Sequence, residues 1–235
     1  MTTKCAILQS NYIPWKGVFD MINQVDTFVF LEDVDFTVRD WRTRNRIKTV
    51  NGAMWLSVPV KKSPRGTKIF EIEICQDTNW QLHHYKTIYC AYKKAHYFDN
   101  YHNIIEEIYL AKKWYNLSEF NIHVTKLLAK ALNINATFVT SKELNTNGLK
   151  DDKLIEICKK IGANFYLSGP TAKNYISTEK FLNANIELAY MDYNHYPEYK
   201  QLHGEFDHYV SVLDLLFNCG ENSIEFITPN KFKVE

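Results

Sequence analysis

The sequence predicts an α/β protein built on an open, mostly parallel, Rossmann-like sheet with a helical insertion. Three observations carry that expectation. Near the start, a short unbroken apolar run (Cys5–Leu8) is followed by a helix-period stretch (Gly17–Val25) and a second β-rich run (Thr27–Leu31). A strand, a helix and a strand in that order imply parallel pairing across a crossover. From Lys150 onward the same alternation returns, and between the two lies a long block of helical periodicity. Strands alternating with helices call for a sheet covered on both faces.

The elements follow in order. Cys5–Leu8 reads as a buried strand ending in the turn Gln9-Ser-Asn-Tyr-Ile-Pro14. In Gly17–Val25 the residues Phe19, Ile22 and Val25 share one face, with Val18 and Met21 beside them, which predicts a helix. Residues 34 to 53 are polar and basic and read as a long loop or irregular extension. Met54–Val60 and Ile69–Ile74 read as strands, the second with one wet face, joined by a turn at Lys61–Gly66. Helices are expected over residues 80–95, His102–Lys113 and Leu117–Asn133, the last from the stripe Leu117, Phe120, Val124, Leu127/Leu128 and Ala131. Residues 136–140 predict a short strand. Lys150–Ile161 predicts a helix closed by Gly162. Strands are expected at Asn164–Leu167 and Ile186–Tyr190. A final helix is expected at Tyr209–Phe217, stopped by Asn218-Cys-Gly220. The expected organisation is a single domain, 1–235, with residues 80–133 as the helical insertion.

At 235 residues, 46% hydrophobic and 23% charged, the chain has ordinary globular proportions, which excludes disorder, collagen and coiled coil as the whole architecture. No stretch approaches the ~18 apolar residues of a membrane span. The apolar run at the start is too short for a signal peptide, so a cytoplasmic location is expected. Five scattered cysteines (Cys5, Cys75, Cys90, Cys158, Cys219) contain no Cys-x-x-Cys and no zinc spacing, and read as free thiols, several of them buried. His83 and His84 face different ways on a helix, so no joint metal site is expected.

The net charge is only +1, but its distribution is uneven. Residues 39 to 68 hold nine bases (Arg39, Arg42, Arg44, Arg46, Lys48, Lys61, Lys62, Arg65, Lys68) against one acid, Asp40. All five arginines lie in that segment, whereas the other 23 bases are lysines. Arginine alone offers a planar fork that grips phosphate or carboxylate with two hydrogen bonds. The segment therefore reads as an anion site, most naturally for phosphates. The pattern fits no nucleic-acid recognition module, and no nucleic-acid partner is expected.

In open parallel sheets ligands collect beyond the carboxyl ends of strands. Gln9, Asn11, Tyr12, Trp15 and Gly17 follow the first strand and open the first helix. Ser168 and Gly169 follow a later strand, with Lys173 and Tyr175 beyond them. The stretch Tyr193-x-His195-x-x-x-Tyr199-x-Gln201-x-His203-Gly204-x-Phe206 is too polar for core and too aromatic for an idle loop. It reads as a substrate-facing loop suited to a sugar ring. No Ser-His-Asp set or carboxylate pair can be assigned from spacing.

A set of motifs in order, Gln9-x-Asn-Tyr-x-Pro-Trp-x-Gly17, Phe30-Leu-Glu-Asp33, Trp41-Arg-x-Arg-Asn-Arg-Ile-Lys48, Trp55-Leu-x-Val-Pro59, Tyr166-Leu-Ser-Gly169 and Ser211-Val-Leu-Asp-Leu-Leu-Phe-Asn218, resembles the WbqC-like family nearly end to end. That family occurs mostly in bacterial clusters for surface polysaccharides such as O-antigen. The resemblance implies work on a nucleotide-linked amino sugar: ATP-dependent addition, with magnesium, of an amino acid or small carboxylic acid. Acyl transfer from coenzyme A or a carrier thioester, and a non-catalytic nucleotide-sugar-binding or scaffold role, are the alternatives. The residues it marks for ligand binding include Asp33, Asn45, Arg46 and Lys48. The start of the chain also looks like adenylate-forming nucleotidyl-transferase-like folds such as pantothenate synthetase. Where those proteins carry two histidines around the glycine, Trp15 and Val18 stand here.

Overall fold

A computed structural model describes residues 2–227. Its centre is a five-stranded parallel sheet made of β1 (Lys4–Leu8), β2 (Thr27–Phe30), β5 (Thr137–Thr140), β6 (Phe165–Ser168) and β7 (Glu187–Tyr190). The spatial order is β5-β2-β1-β6-β7, every neighbouring pair parallel. β1 is flanked on both sides, as its unbroken apolar run requires, with Cys5 opposite Thr27 on one side and Tyr166 on the other.

Alternate residues of β1 enter two different cores. Cys5 and Ile7 meet Ile157 and Cys158 of α6 (Lys150–Lys160) and Phe181 of α7 (Thr178–Asn183). Ala6 faces the larger core, which gathers Phe19 and Ile22 of α1 (Lys16–Asn23), Leu213 and Leu216 of α8 (Val212–Cys219), and the helical block. That block is α2 (Trp80–Tyr92), α3 (Phe98–Tyr109) and α4 (Leu117–Ala131). Helices thus cover both faces, an open Rossmann-like arrangement.

The chain leaves β1 through α1 to β2 on one side, and reaches β6 on the other side only after α6. Strand order therefore reverses at β1. The crevice beyond the carboxyl ends of β1 and β6 is the switch point where such sheets hold ligands.

Several elements differ from the sequence expectation. The basic segment 34–53 is not all loop. Arg44–Thr49 forms β3, which pairs antiparallel with β4 (Gly52–Ser57), Arg46 opposite Trp55 and Ile47 opposite Met54. Its inward face carries Asn45 and Ile47, so a polar residue takes an apolar position and masks the alternation. β4 stops at Ser57, short of Val60. Ile69–Glu71 is one turn of 3-10 helix rather than the start of a strand, because the Lys68 backbone N–H is held by the Glu71 carboxylate at 2.8 Å. Ile72 and Ile74 are buried, and the segment joins its neighbours only by single bridges, Val60 to Ile74 and Glu73 to Asn116. α3 starts at Phe98, ahead of His102. α8 starts at Val212, with the Ser211 hydroxyl accepting from the Leu213 N–H, and runs through Cys219 to Gly220 (φ +57). A short α5 (Ser141–Leu144) and α7 had no periodicity long enough to read. Gly162 ends α6 in the left-handed region, φ +71, as expected.

Among the described residues the cysteines are free: Cys5, Cys158 and Cys219 are buried, Cys75 is half-buried and Cys90 is exposed. Among the same residues no helix is long and apolar enough to cross a membrane.

Candidate functional site

The switch-point crevice opens into a cavity of about 920 Å³, within the range of small-molecule sites. Its walls come from the ends of β1 and β6, the amino-terminal turns of α1 and α6, and the loops after β2 and β7. Gln9, Asn11, Trp15, Asn45, Ser168, Gly169 and Tyr175 of the expected set line it.

The turn after β1 is shaped by a residue in an unusual conformation. Ile13 has φ +33, a strained backbone for a β-branched residue. It is held there from outside: the Asn45 side-chain amide donates to the Ile13 carbonyl at 2.8 Å and the Tyr12 carbonyl at 3.3 Å, and the Tyr12 N–H donates to the Trp41 carbonyl at 2.9 Å. Asn45 is buried, so these bonds replace ones that water cannot make. The kink turns Tyr12 inward and leaves Asn11 and Trp15 at the cavity. Tyr12 therefore does not line the site. Its hydroxyl sits 2.7 Å from His84 Nδ1 and 2.6 Å from the Tyr109 hydroxyl, deep in the core. Burial, with the neighbouring His83 charge, lowers the His84 pKa to about 4, so this histidine is a neutral core partner.

Gly17 has a steric reason. A Cβ there would stand 2.3 Å from Cζ2 of the Trp15 indole, which folds back over the first turn of α1. The indole forms the cavity's aromatic wall with Tyr193 (ring centroids 5.1 Å, edge-on) and Tyr209 (6.0 Å). The loop bearing Tyr193 is pinned to α1. The Tyr196 hydroxyl donates to Asp20 at 2.6 Å, and Lys16 Nζ lies 4.8 Å from the Tyr196 ring centroid and 5.4 Å from that of Tyr199. Burial lowers the Lys16 pKa to about 8, against the opposing charges of Cys219, Asp214 and Glu198.

A polar part of the cavity comes from the first turn of α6, where Lys153 follows Lys150 and Asp151. Lys153 Nζ lies 2.6 Å from Asp33 Oδ2, while the Ser141 hydroxyl donates to Asp33 Oδ1 and accepts from the Glu32 N–H. Asp33, expected as a ligand residue, thus acts as a holder that fixes a cation at the wall. The Ser168 hydroxyl, 3.2 Å from that of Tyr166, faces this region from the end of β6. Beneath the Gln9 turn, Glu32 is buried and accepts from the Ser10 N–H at 2.8 Å and the Ser10 hydroxyl at 3.0 Å. Burial raises its pKa, while Ser118, Ser10 and Arg42 pull the other way.

The arginines do not enter the cavity. Arg42 donates to Asp40 and to the side-chain carbonyl of Gln9, so it reaches the rim only through Gln9. Burial lowers its pKa, opposed by Asp40 and Glu32. Arg46 donates twice to the Tyr209 carbonyl, at 3.0 and 2.7 Å. Arg44 stacks on Trp55, its guanidinium carbon 4.6 Å from the ring centroid, and Arg39 is exposed in a left-handed turn (φ +61).

The loop at 195–203 also turns away from the cavity. A buried carboxylate, Asp214, has its pKa raised by burial and draws that loop inward: Tyr199 donates to it at 2.9 Å and Gln201 at 2.9 Å, while Lys48 Nζ donates to Gln201 at 2.8 Å. Tyr199, Gln201 and Lys48 are thus parts of a buried polar network. His203 contacts the Ala91 carbonyl at 2.8 Å, and exposed His195 lies 3.4 Å from Asp192. Lys173 projects over the Tyr190 ring at 5.1 Å.

Many lining residues were not among the expected ligands, among them Lys153, Asp151, Trp41, Tyr193 and Tyr209. Tyr193 opens the aromatic loop read as substrate-facing, and Trp41 opens one of the quoted motifs. Lys153 carries no sequence signal, being one lysine of 23. Among the described residues, no group of three or more His, Cys, Asp or Glu is placed to hold a metal ion.

Comparison with known proteins agrees with this geometry in extent. An uncharacterised protein of Mycobacterium tuberculosis strain H37Rv, Rv1507c, is 36% identical over 224 residues, covering 95% of this chain and 97% of its own. No solved structure matches. The WbqC-like protein family matches residues 9–226, from the Gln9 turn to the end of the last helical segment, and the chain belongs to that family.

Proposed function

We propose that the chain is an amide-forming or acyl-transferring enzyme that decorates a nucleotide-linked amino sugar for a surface polysaccharide, using ATP to activate an amino acid or small carboxylic acid. The observation that carries this reading is the make-up of the switch-point cavity. Part of the lining is aromatic (Trp15, Tyr193, Tyr209), suited to the face of a sugar ring, and the lining also holds a fixed cation, Lys153, tied to Asp33. A sugar needs a flat apolar face and hydrogen-bonding groups together, and Asn11, Gln9 and Ser168 supply the latter. Lys153 suits an anionic oxygen, whether of phosphate or of a carboxylate.

In the reaction proposed, a carboxylate oxygen attacks a phosphorus of ATP and displaces pyrophosphate or adenosine diphosphate; the amine of the sugar then attacks the carboxyl carbon, the carbon–oxygen bond breaks with its electrons passing to the departing adenosine monophosphate or phosphate, and the amine's proton goes to solvent. Lys153 would steady the negative charge on the leaving oxygens, which is the contribution a preorganised cation makes in a water-poor site. Coenzyme A or a carrier thioester would supply the same acyl group without ATP.

The test is incubation with ATP, magnesium, glycine or another small acid, and a nucleotide-linked amino sugar. The reading expects adenosine monophosphate with pyrophosphate, or adenosine diphosphate with phosphate, to appear only when all are present, with an amide on the sugar. A nucleotide sugar that raises the melting temperature without turnover, with ATP or with acyl-coenzyme A, would instead make the protein a nucleotide-sugar binder.

A further inference from the structure

At the cavity mouth lies a group of side chains of which Trp41 lines the cavity while Trp55 and Arg44 do not. Trp41 and Trp55 are 50% and 46% exposed, with ring centroids 5.6 Å apart and planes tilted by 35°. Arg44 lies over Trp55 at 4.6 Å. Among the described residues no carboxylate pairs with Arg44, whose guanidinium meets the Trp55 ring. Two half-exposed indoles at one place are costly to leave wet, and large exposed aromatic patches mark binding surfaces. The group is continuous with the cavity: Trp41 lines both, and Arg46, 5.7 Å from the Trp55 ring centroid, holds the carbonyl of Tyr209, another lining residue. It is also built on a rigid support. β3 and β4 pair along their full length, and the Trp41 carbonyl is fixed by the Tyr12 N–H.

We propose that Trp41, Trp55 and Arg44 form an outer subsite for the nucleoside diphosphate portion of the ligand, with the base against an indole face and a phosphate oxygen on Arg44. The inference rests on the nucleotide-sugar reading above and adds where the nucleotide sits. The cavity then takes the sugar and the incoming acid, and the diphosphate crosses the mouth between them. Stacking on tryptophan combined with an arginine fork is how proteins hold a base and its phosphates without reading the base's edges. This gives Arg44 of the basic segment its role at the rim, while Lys153 serves the cavity.

The experiment titrates uridine diphosphate, adenosine diphosphate, uridine and inorganic pyrophosphate into the full chain, followed by calorimetry and tryptophan fluorescence. It is repeated with Trp55→Ala, Trp55→Leu and Arg44→Gln, each first shown to melt with the parent's cooperativity. At least one nucleoside diphosphate binds the parent and quenches its fluorescence. Trp55→Ala and Trp55→Leu each weaken that binding by roughly tenfold, since base stacking contributes about 1–3 kcal/mol. Arg44→Gln weakens the diphosphate but not the nucleoside. Unchanged diphosphate affinity in all three variants, with nucleotide-sugar binding still sensitive to Lys153→Met, overturns the subsite and leaves the cavity reading standing. If no nucleoside diphosphate or nucleotide sugar binds the parent, both fail. If the variants instead lose co-sedimentation with phosphatidylglycerol vesicles while nucleotide affinity is unchanged, the patch is a membrane contact and the subsite is refuted.

Discussion

Replacing Gly17 by alanine sets two effects of similar size against each other. Gly17 lies in α1 with ordinary helical backbone, so alanine should gain about 1 kcal/mol of helix propensity. The structure adds an opposing effect. The new Cβ would stand 2.3, 2.7 and 2.8 Å from three atoms of the Trp15 indole. Carbon atoms settle at about 3.5–4.0 Å, so the ring must retreat by more than about 1 Å. Behind it stand Tyr193, Tyr196 and Tyr209, with centroids 5.1 to 6.1 Å away, and Tyr196 is fixed to Asp20. Overpacking of this kind costs about 1–3 kcal/mol, which outweighs the propensity gain. The expected net loss is about 1 kcal/mol, a fall of roughly 2–4 °C in melting temperature for a chain of this size. The near-ultraviolet circular dichroism of the tryptophans should change at the same time, and ligand affinity should fall because the aromatic wall has moved. A variant that melts above the parent with unchanged near-ultraviolet signal would show that Trp15 is free to step aside, and the steric account of the Trp-x-Gly motif would be wrong.

Other expectations follow from the same geometry. Asn45→Ala strands the buried Tyr12 and Ile13 carbonyls and should cost about 1–3 kcal/mol in urea unfolding; a smaller loss with an intact cavity would mean the Ile13 kink holds itself. Lys16 holds its proton to about pH 8 when folded and to about 10.5 when unfolded, so between those values the unfolded chain binds more protons and the folded state gains stability as pH rises. Compared with Lys16→Met, the parent should therefore be penalised below pH 8 and recover by up to about 3 kcal/mol towards pH 10.5; a difference that stays flat with pH would refute the buried-cation reading. Lys153→Met should weaken a nucleotide-linked sugar by roughly tenfold or more, whereas Lys173→Met, over Tyr190 and away from the cavity, should leave affinity unchanged; equal effects would mean neither lysine is specifically placed.

What the sequence reveals and what it hides both have physical causes. The parallel sheet was legible because its central strands are buried on both faces and read as continuous apolar runs, and because α1 and α4 keep a clear stripe. β3 was hidden because its inward positions include Asn45, a polar residue whose partners are backbone carbonyls far away in sequence. The Ile69–Ile74 segment alternates like a strand, yet a single hydrogen bond from the Lys68 N–H to Glu71 turns its start into 3-10 helix. At the site, strand ends were legible because their position follows from topology, which is why Gln9, Asn11, Trp15, Ser168 and Gly169 share one cavity. Tyr12 and Tyr199 were misleading for one reason: a tyrosine in a loop can hide its ring and spend its hydroxyl on a buried partner, here His84 and Asp214. Arginine usage pointed into the cavity, but no arginine lines it: Arg42 is taken up by Asp40 and Gln9, and Arg46 by the Tyr209 carbonyl. Lys153 could not be read at all, because its placement depends on Asp33, 120 residues away.

The most direct test of the central claim is a crystal structure of the full chain soaked with a nucleotide-linked amino sugar. The account predicts the sugar between the carboxyl ends of β1 and β6, with an oxygen within hydrogen-bonding distance of Lys153 Nζ and the ring against Trp15 or Tyr193. Density for the sugar elsewhere, such as the groove between α2 and the end of α3, or a cavity left empty at saturating ligand, would contradict it.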